Sequence, residues 1–153
     1  MQELKALIEK EIRLEWRQRY ALNGMILYIV STVFVCYISF ALKAKGIEPI
    51  TWNTLLWIIL LFTAVNSINK SFTQERAGRQ LYYYTLASPQ GIILSKIIYN
   101  IVLLLALSLI GLFIYIVFLA NPVQNLVMYL TAVILGAIGF SSTLTMVAGI
   151  ASK

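Results

Sequence analysis

The chain has 153 residues, of which 60 % are hydrophobic and only 12 % are charged. This charged fraction is about half that of an average soluble domain, so the composition argues against a water-soluble fold and indicates a membrane protein. The absence of histidine removes the commonest general base and metal ligand. The net charge of +6 is typical of basic loops that set membrane topology, and the cations do not gather on one polar face as in a nucleic-acid-binding protein.

Residues 1–20 have the pattern of an amphipathic helix. The apolar residues recur at intervals of three and four: Leu4, Leu7, Ile8, Ile12 and Trp16. Because this helix is too charged to cross a bilayer, we predict that it lies in the membrane interface; a helix docked on a soluble partner is the alternative. Glu9 and Arg13, and likewise Glu15 and Arg19, are spaced for ordinary ion pairs on a helix surface.

Four apolar runs follow and predict an all-α polytopic membrane protein with this additional interfacial helix. The predicted transmembrane helices are residues 21–42, 52–68, 97–120 and 126–150. All three prolines fall in the connections between them. Trp52 is predicted to be an interfacial anchor. No charged residue lies inside these limits, which argues against an ion-coupled transporter.

The cations are distributed unevenly along the chain. Ten of the twelve Lys and Arg residues stand in the N-terminal helix, in residues 70–96 or at Lys153, and only Lys43 and Lys45 stand between the first two predicted spans. Cytosolic loops of membrane proteins carry the excess of Lys and Arg. We therefore expect the N-terminus, the central interval 70–96 and the C-terminus to be cytosolic.

The central interval predicts a coupling loop on which a cytosolic motor protein docks. Ser88 and Pro89 are typical of a helix start, because serine caps free amides and proline lacks the N–H that would be unsatisfied there. Aromatic anchors and charges would fix the partner's register. The candidate docking residues are Glu75, Arg76, Gly78, Arg79, Tyr82, Tyr83, Tyr84, Ser88 and Pro89. An aromatic belt at the lipid headgroups remains open for the three tyrosines, as does a local ion pair between Glu75 and Arg79.

Small residues in the last span predict close helix packing. The candidates are Gly136, Gly139, Thr143 and Gly149. Packing within the chain is favoured, and a homodimer seam is the alternative. Asn23, Asn53 and Asn66, near the span ends, are expected to form hydrogen bonds across helices.

Several stretches resemble a known family along essentially the whole chain. They are EIRLEWRQRYALNG, QERAGRQLYYYTLASPQGIILSKIIYN, NPVQN and GFSSTLTMVAGIASK, with Glu75, Gly78 and the run from Leu86 to Pro89 as their most specific parts. They are similar to the CcmB family (haem exporter protein B), the permease subunit of the cytochrome c maturation ABC transporter. The resemblance implies an ABC-2-like permease of the bacterial inner membrane with six spans, so a partial chain that lacks the last two helices is expected.

The resemblance also implies partners and a substrate. It implies a cytosolic ATPase subunit that binds ATP, other cytochrome c maturation membrane proteins, and haem as the compound transported or handed on. The residues agree that ATP binds elsewhere, because residues 91–96 lack the second glycine and the final hydroxyl of a phosphate-binding loop. No catalytic residue, metal or cofactor is predicted for this chain. A permease for another lipid-like substrate and a non-transporting assembly scaffold remain as alternatives.

Overall fold

The computed structural model describes residues 2–17, 19–41, 47–73 and 88–151 of the chain. This part contains helices and no strand: α1 is Gln2–Arg17, α2 is Arg19–Ala41, α3 is Pro49–Thr73, α4 is Pro89–Leu119 and α5 is Leu126–Ala151. Helices α2 to α5 are each long and apolar enough to cross a membrane. The predicted all-α polytopic class is therefore confirmed.

The start of α4 follows from its local sequence. The helix begins at Pro89, as predicted, and the side chain of Ser88 accepts a hydrogen bond from the backbone N–H of Gly91 at 3.3 Å. Proline fits this first position because its missing N–H would have no partner inside the helix. Pro49 likewise begins α3, so two of the prolines open helices rather than lying between them.

The helices extend beyond the apolar runs that predicted them. Helix α3 continues to Thr73, and α4 begins two turns before its apolar run. Lys70 and Lys96 consequently lie inside the stretches that are long and apolar enough to span a membrane, Pro49–Phe72 and Gln90–Leu119. Both lysines lie outside the shorter predicted limits, 52–68 and 97–120, within which no charged residue stands. Intrahelical hydrogen bonding continues beyond the last apolar residue, so hydropathy alone underestimates the length of a helix.

Helix α4 lies at the centre of the bundle and contacts each of the other described helices. Its inward face is a stripe with intervals of three and four residues, as helix geometry requires. The stripe consists of Lys96, Asn100, Leu104, Leu107, Ser108, Leu112, Tyr115 and Leu119, all buried. The buried residues of this stripe are polar near the start of α4 and mostly apolar towards its end. The bundle therefore has a polar end and an apolar end.

The apolar end of the bundle is closed by an aromatic pair. Trp52 is only 1 % exposed, and its ring centroid lies 4.8 Å from that of Tyr115. The indole N–H of Trp52 donates to the carbonyl of Ala120 at 3.1 Å, and the hydroxyl of Tyr115 donates to the carbonyl of Trp52 at 3.0 Å. Trp52 is therefore a core residue, and its prediction as an interfacial anchor is wrong. Its polar atom is satisfied inside the protein, which removes the reason for an interfacial position.

The small residues of α5 lie on two different faces. A Cβ atom at Gly136 would lie 2.6 Å from the ring of Trp57, and one at Gly149 would lie 3.7 Å from the ring of Phe72. Among the described residues, no atom lies within 4 Å of a Cβ atom placed at Gly139. The exposed Thr143 donates to the carbonyl of Gly139 at 2.7 Å. Gly136 and Gly149 thus face α3, whereas Gly139 and Thr143 face outward.

Candidate functional site: a buried polar cluster beside the central interval

Lys96 joins three helices at the polar end of the bundle. Its ammonium lies 3.4 Å from a carboxylate oxygen of Glu11 in α1, and the two side chains are 3 % and 6 % exposed. It donates a hydrogen bond to the carbonyl of Ser71 at 3.3 Å and stands 5.0 Å from the ring centroid of Phe72. These contacts attach α4 to α1 and to the last turn of α3.

The face that α1 turns toward the bundle is partly acidic. Leu7, Glu11 and Glu15 recur every four residues and are all buried, whereas Ile12 and Trp16 are exposed. The sequence predicted that the apolar residues form one face of this helix, which lies in the membrane interface. The structure buries Leu7 and leaves Ile12 and Trp16 exposed. The carboxylate of Glu11 forms an ion pair with Lys96 inside the bundle and also lies 3.0 Å from the ammonium of Lys10.

The polar layer continues across the bundle one helical turn further along α4. The side-chain amide of Asn100 donates to the hydroxyl of Thr145 in α5 at 3.0 Å, and both residues are fully buried. Ser67 of α3 and Ser141 of α5 are buried as well. We use the name polar cluster for Glu11, Glu15, Ser71, Lys96, Asn100 and Thr145.

The polar cluster includes residues from both sides of the central residues 74–87. Ser71 precedes the central residues 74–87 and Lys96 follows them, so one hydrogen bond connects the two flanks of that interval. Removing one partner of a buried ion pair leaves an uncompensated charge, so such pairs resist separation. Among the residues that the structure describes, no group of three His, Cys, Asp or Glu gathers to hold a metal ion. The arrangement is suited to holding helices in register.

Only some of the predicted docking residues lie in the part of the chain that the structure describes. Ser88 and Pro89 form the start of α4, whereas Glu75, Arg76, Gly78, Arg79 and Tyr82 to Tyr84 lie outside the described residues. Sequence reasoning missed Glu11, Lys96, Asn100 and Thr145. One signal was available for part of this set: Lys96 and Asn100 stand four apart, at the spacing that places them on one helix face.

Other predicted contacts can be compared directly. The exposed pair of Glu9 and Arg13 is confirmed, with 2.6 Å between a guanidinium nitrogen and a carboxylate oxygen. Asn53 accepts hydrogen bonds from Trp57 in its own helix at 3.1 Å and from the hydroxyl of Tyr129 in α5 at 2.7 Å, so it bonds across helices as expected. Asn23 and Asn66 instead line a groove between α2 and α3.

Four long apolar helices, with a buried polar cluster at one end of the bundle, define a multi-pass membrane protein. A family model described as CcmB protein matches residues 2–152, and the chain belongs to the CcmB family. This family implies a permease subunit of an ABC transporter, a non-catalytic membrane component with a haem-export role in cytochrome c maturation. No curated protein and no solved structure matches the chain.

Proposed function

We propose that this chain is the permease subunit of an ATP-driven exporter and that a separate cytosolic ATPase docks on residues 72–96. The family supports the transporter class. The observation that carries the docking site is the contact of Lys96 with both Glu11 and the carbonyl of Ser71, which binds the flanks of the central interval to each other and to α1. The bias of cations supports an orientation in the inner membrane with the N-terminus and residues 72–96 in the cytosol.

The proposed mechanism transmits force through the ends of α3 and α4. A partner that pulls on the central interval acts on the last turn of α3 and the first turns of α4. Because Lys96 is buried against both Ser71 and Glu11, these helix ends and α1 move together. The motion then reaches the rest of the bundle through α4, which contacts every other described helix. Haem, as the compound transported or handed on, and the other cytochrome c maturation proteins, as partners, are proposed from family membership.

The test is capture of candidate ABC ATPases by the tagged chain in solubilised membranes. Wild type is compared with Arg79→Glu and with a triple alanine variant of Tyr82, Tyr83 and Tyr84. Glu48→Lys is the matched control, because it also reverses one charge, and the exposed Glu48 stands just before α3, at the end of that helix opposite to the central interval. Membrane insertion is measured for each variant by protease protection.

Specific capture of one ATPase by wild type and the control, with loss in both loop variants at equal insertion, is the expected result. Capture that survives both changes would refute docking on residues 72–96. If wild type captures no ATPase, the energised permease itself is refuted and the scaffold alternative is favoured. Dependence of capture on nucleotide would further separate a motor partner from a passive assembly factor.

A further inference from the structure

We propose that the groove between α2 and α3 is a binding site for the headgroup of an anionic phospholipid. The groove has a volume of about 550 Å³ and opens to the surface of the bundle. Its lining includes Asn23, Gly24, Leu27, Asn66, Asn69 and Lys70. The groove shares Lys70 with the interval 70–96, but binding of a lipid in it does not depend on the proposed ATPase.

The chemistry of the lining selects an anion. Asn23, Asn66 and Asn69 contribute side-chain amides, Lys70 contributes an ammonium, and none of the described residues that line the groove is acidic. Amide N–H groups and an ammonium donate hydrogen bonds to phosphate oxygens, and charge-assisted bonds of this kind are stronger than neutral ones. The absence of a neighbouring side chain at Gly24 leaves room for the ammonium of Lys70, which would lie 3.5 Å from a Cβ atom there.

The groove lies at the level where a lipid headgroup would be. Asn23 is in the second turn of α2, and Lys70 is in the last turn of α3. Both therefore stand at the end of the bundle that also holds the polar cluster. The polar groups of the groove are gathered at the ends of two helices that are long and apolar enough to span a membrane.

An apolar strip continues from these polar groups along both helices. On α2, Leu27, Val30 and Phe34 follow Asn23 at intervals of three and four and are exposed. On α3, Phe62 and Ile58 precede Asn66 at intervals of four and are exposed as well. From Asn23 to Phe34 the helix rises about 16 Å, which is about half the thickness of a bilayer's hydrocarbon core. An anion-binding groove that continues into an apolar strip about one leaflet long matches the headgroup and acyl chains of a phospholipid.

The test is native mass spectrometry of the purified chain titrated with phosphatidylglycerol or with phosphatidylcholine of the same acyl chains. Lys70→Gln removes the charge from the groove, and Gly24→Leu fills the groove without a change of charge. Arg13→Gln is the matched control, because it removes one exposed cation from α1. Circular dichroism melting curves that coincide with wild type establish that each variant is folded.

We expect wild type and Arg13→Gln to prefer phosphatidylglycerol by about tenfold, the size expected for one charge-assisted hydrogen bond. Lys70→Gln is expected to abolish this preference, and Gly24→Leu to weaken the binding of phosphatidylglycerol. Equal binding of the two lipids by wild type would overturn the proposal, as would an equal loss in Arg13→Gln and Lys70→Gln. A second copy of the chain in the groove would also overturn it; in that case Asn66→Cys would form a disulfide-linked dimer that lipid does not displace.

Discussion

Replacing Lys96 with methionine tests whether the polar cluster holds the bundle together. Methionine has a similar length and an apolar side chain, so the substitution removes the charge with little loss of volume. Three contacts disappear: the ion pair with Glu11 at 3.4 Å, the hydrogen bond to the carbonyl of Ser71 at 3.3 Å, and the position over the ring of Phe72 at 5.0 Å. The carboxylate of Glu11 then remains buried without its buried partner.

The magnitude follows from burial rather than from distance. Breaking a buried ion pair costs about 3–5 kcal/mol, because one charge is left uncompensated. We expect the lower end, about 3 kcal/mol, because Lys10 still lies 3.0 Å from Glu11 and is itself partly exposed. The exposed pair of Arg13 and Glu9 is shorter, at 2.6 Å, yet Arg13→Met is expected to cost at most about 0.5 kcal/mol because solvent screens that pair.

The assay is unfolding in mixed micelles by titration with sodium dodecyl sulfate, followed by far-ultraviolet circular dichroism. A double-mutant cycle adds Glu11→Gln and the double variant of Glu11 and Lys96. The double variant should lose about 2 kcal/mol less than the sum of the two single losses, since no buried charge is left unpaired in it. If Lys96→Met were no more destabilising than Arg13→Met, or if the two single losses simply added, the reasoning about this cluster would be wrong.

Three further substitutions are expected to separate buried from open positions. Gly136→Ala should lower the free energy of unfolding by about 1–3 kcal/mol, because the new methyl group would lie 2.6 Å from the ring of Trp57. Gly139→Ala should show no loss in the same titration, because no atom of the described residues lies within 4 Å of the new methyl group. Asn100→Ala should cost about 1 kcal/mol through loss of its hydrogen bond to Thr145, measured in the same way, and a cost equal to that of an exposed substitution would contradict the buried contact.

The amino-acid sequence was sufficient for the membrane class and for the order of the helices. A composition of 60 % hydrophobic residues and four long apolar runs leave the bilayer as the only solvent that satisfies the chain. The start of α4 at Pro89 could also be predicted, because capping by Ser88 and the fixed backbone of proline act within one turn. These features depend on neighbours in the sequence or on composition, and neither requires knowledge of how the helices pack.

The environment of the tryptophans could not be predicted in the same way. Trp52 stands at the end of an apolar run, a position typical of an interfacial anchor. Its burial depends on Tyr115 and Ala120, which approach it only when α4 packs against α3. The rotation of each helix about its axis decides which residues meet, and an apolar helix with no marked polar face carries little information about that rotation.

The sequence by itself determined an all-α membrane protein, the number and order of its apolar helices, and the bias of its cations. Which face of α1 packs against the bundle was decided only by the tertiary structure. Leu7, Glu11 and Glu15 are buried while Trp16 is exposed, because Lys96 lies inside the bundle and a buried ammonium requires a carboxylate. That requirement joins residues far apart in the chain, and it arises only once α3 and α4 have packed and withdrawn Lys96 from solvent.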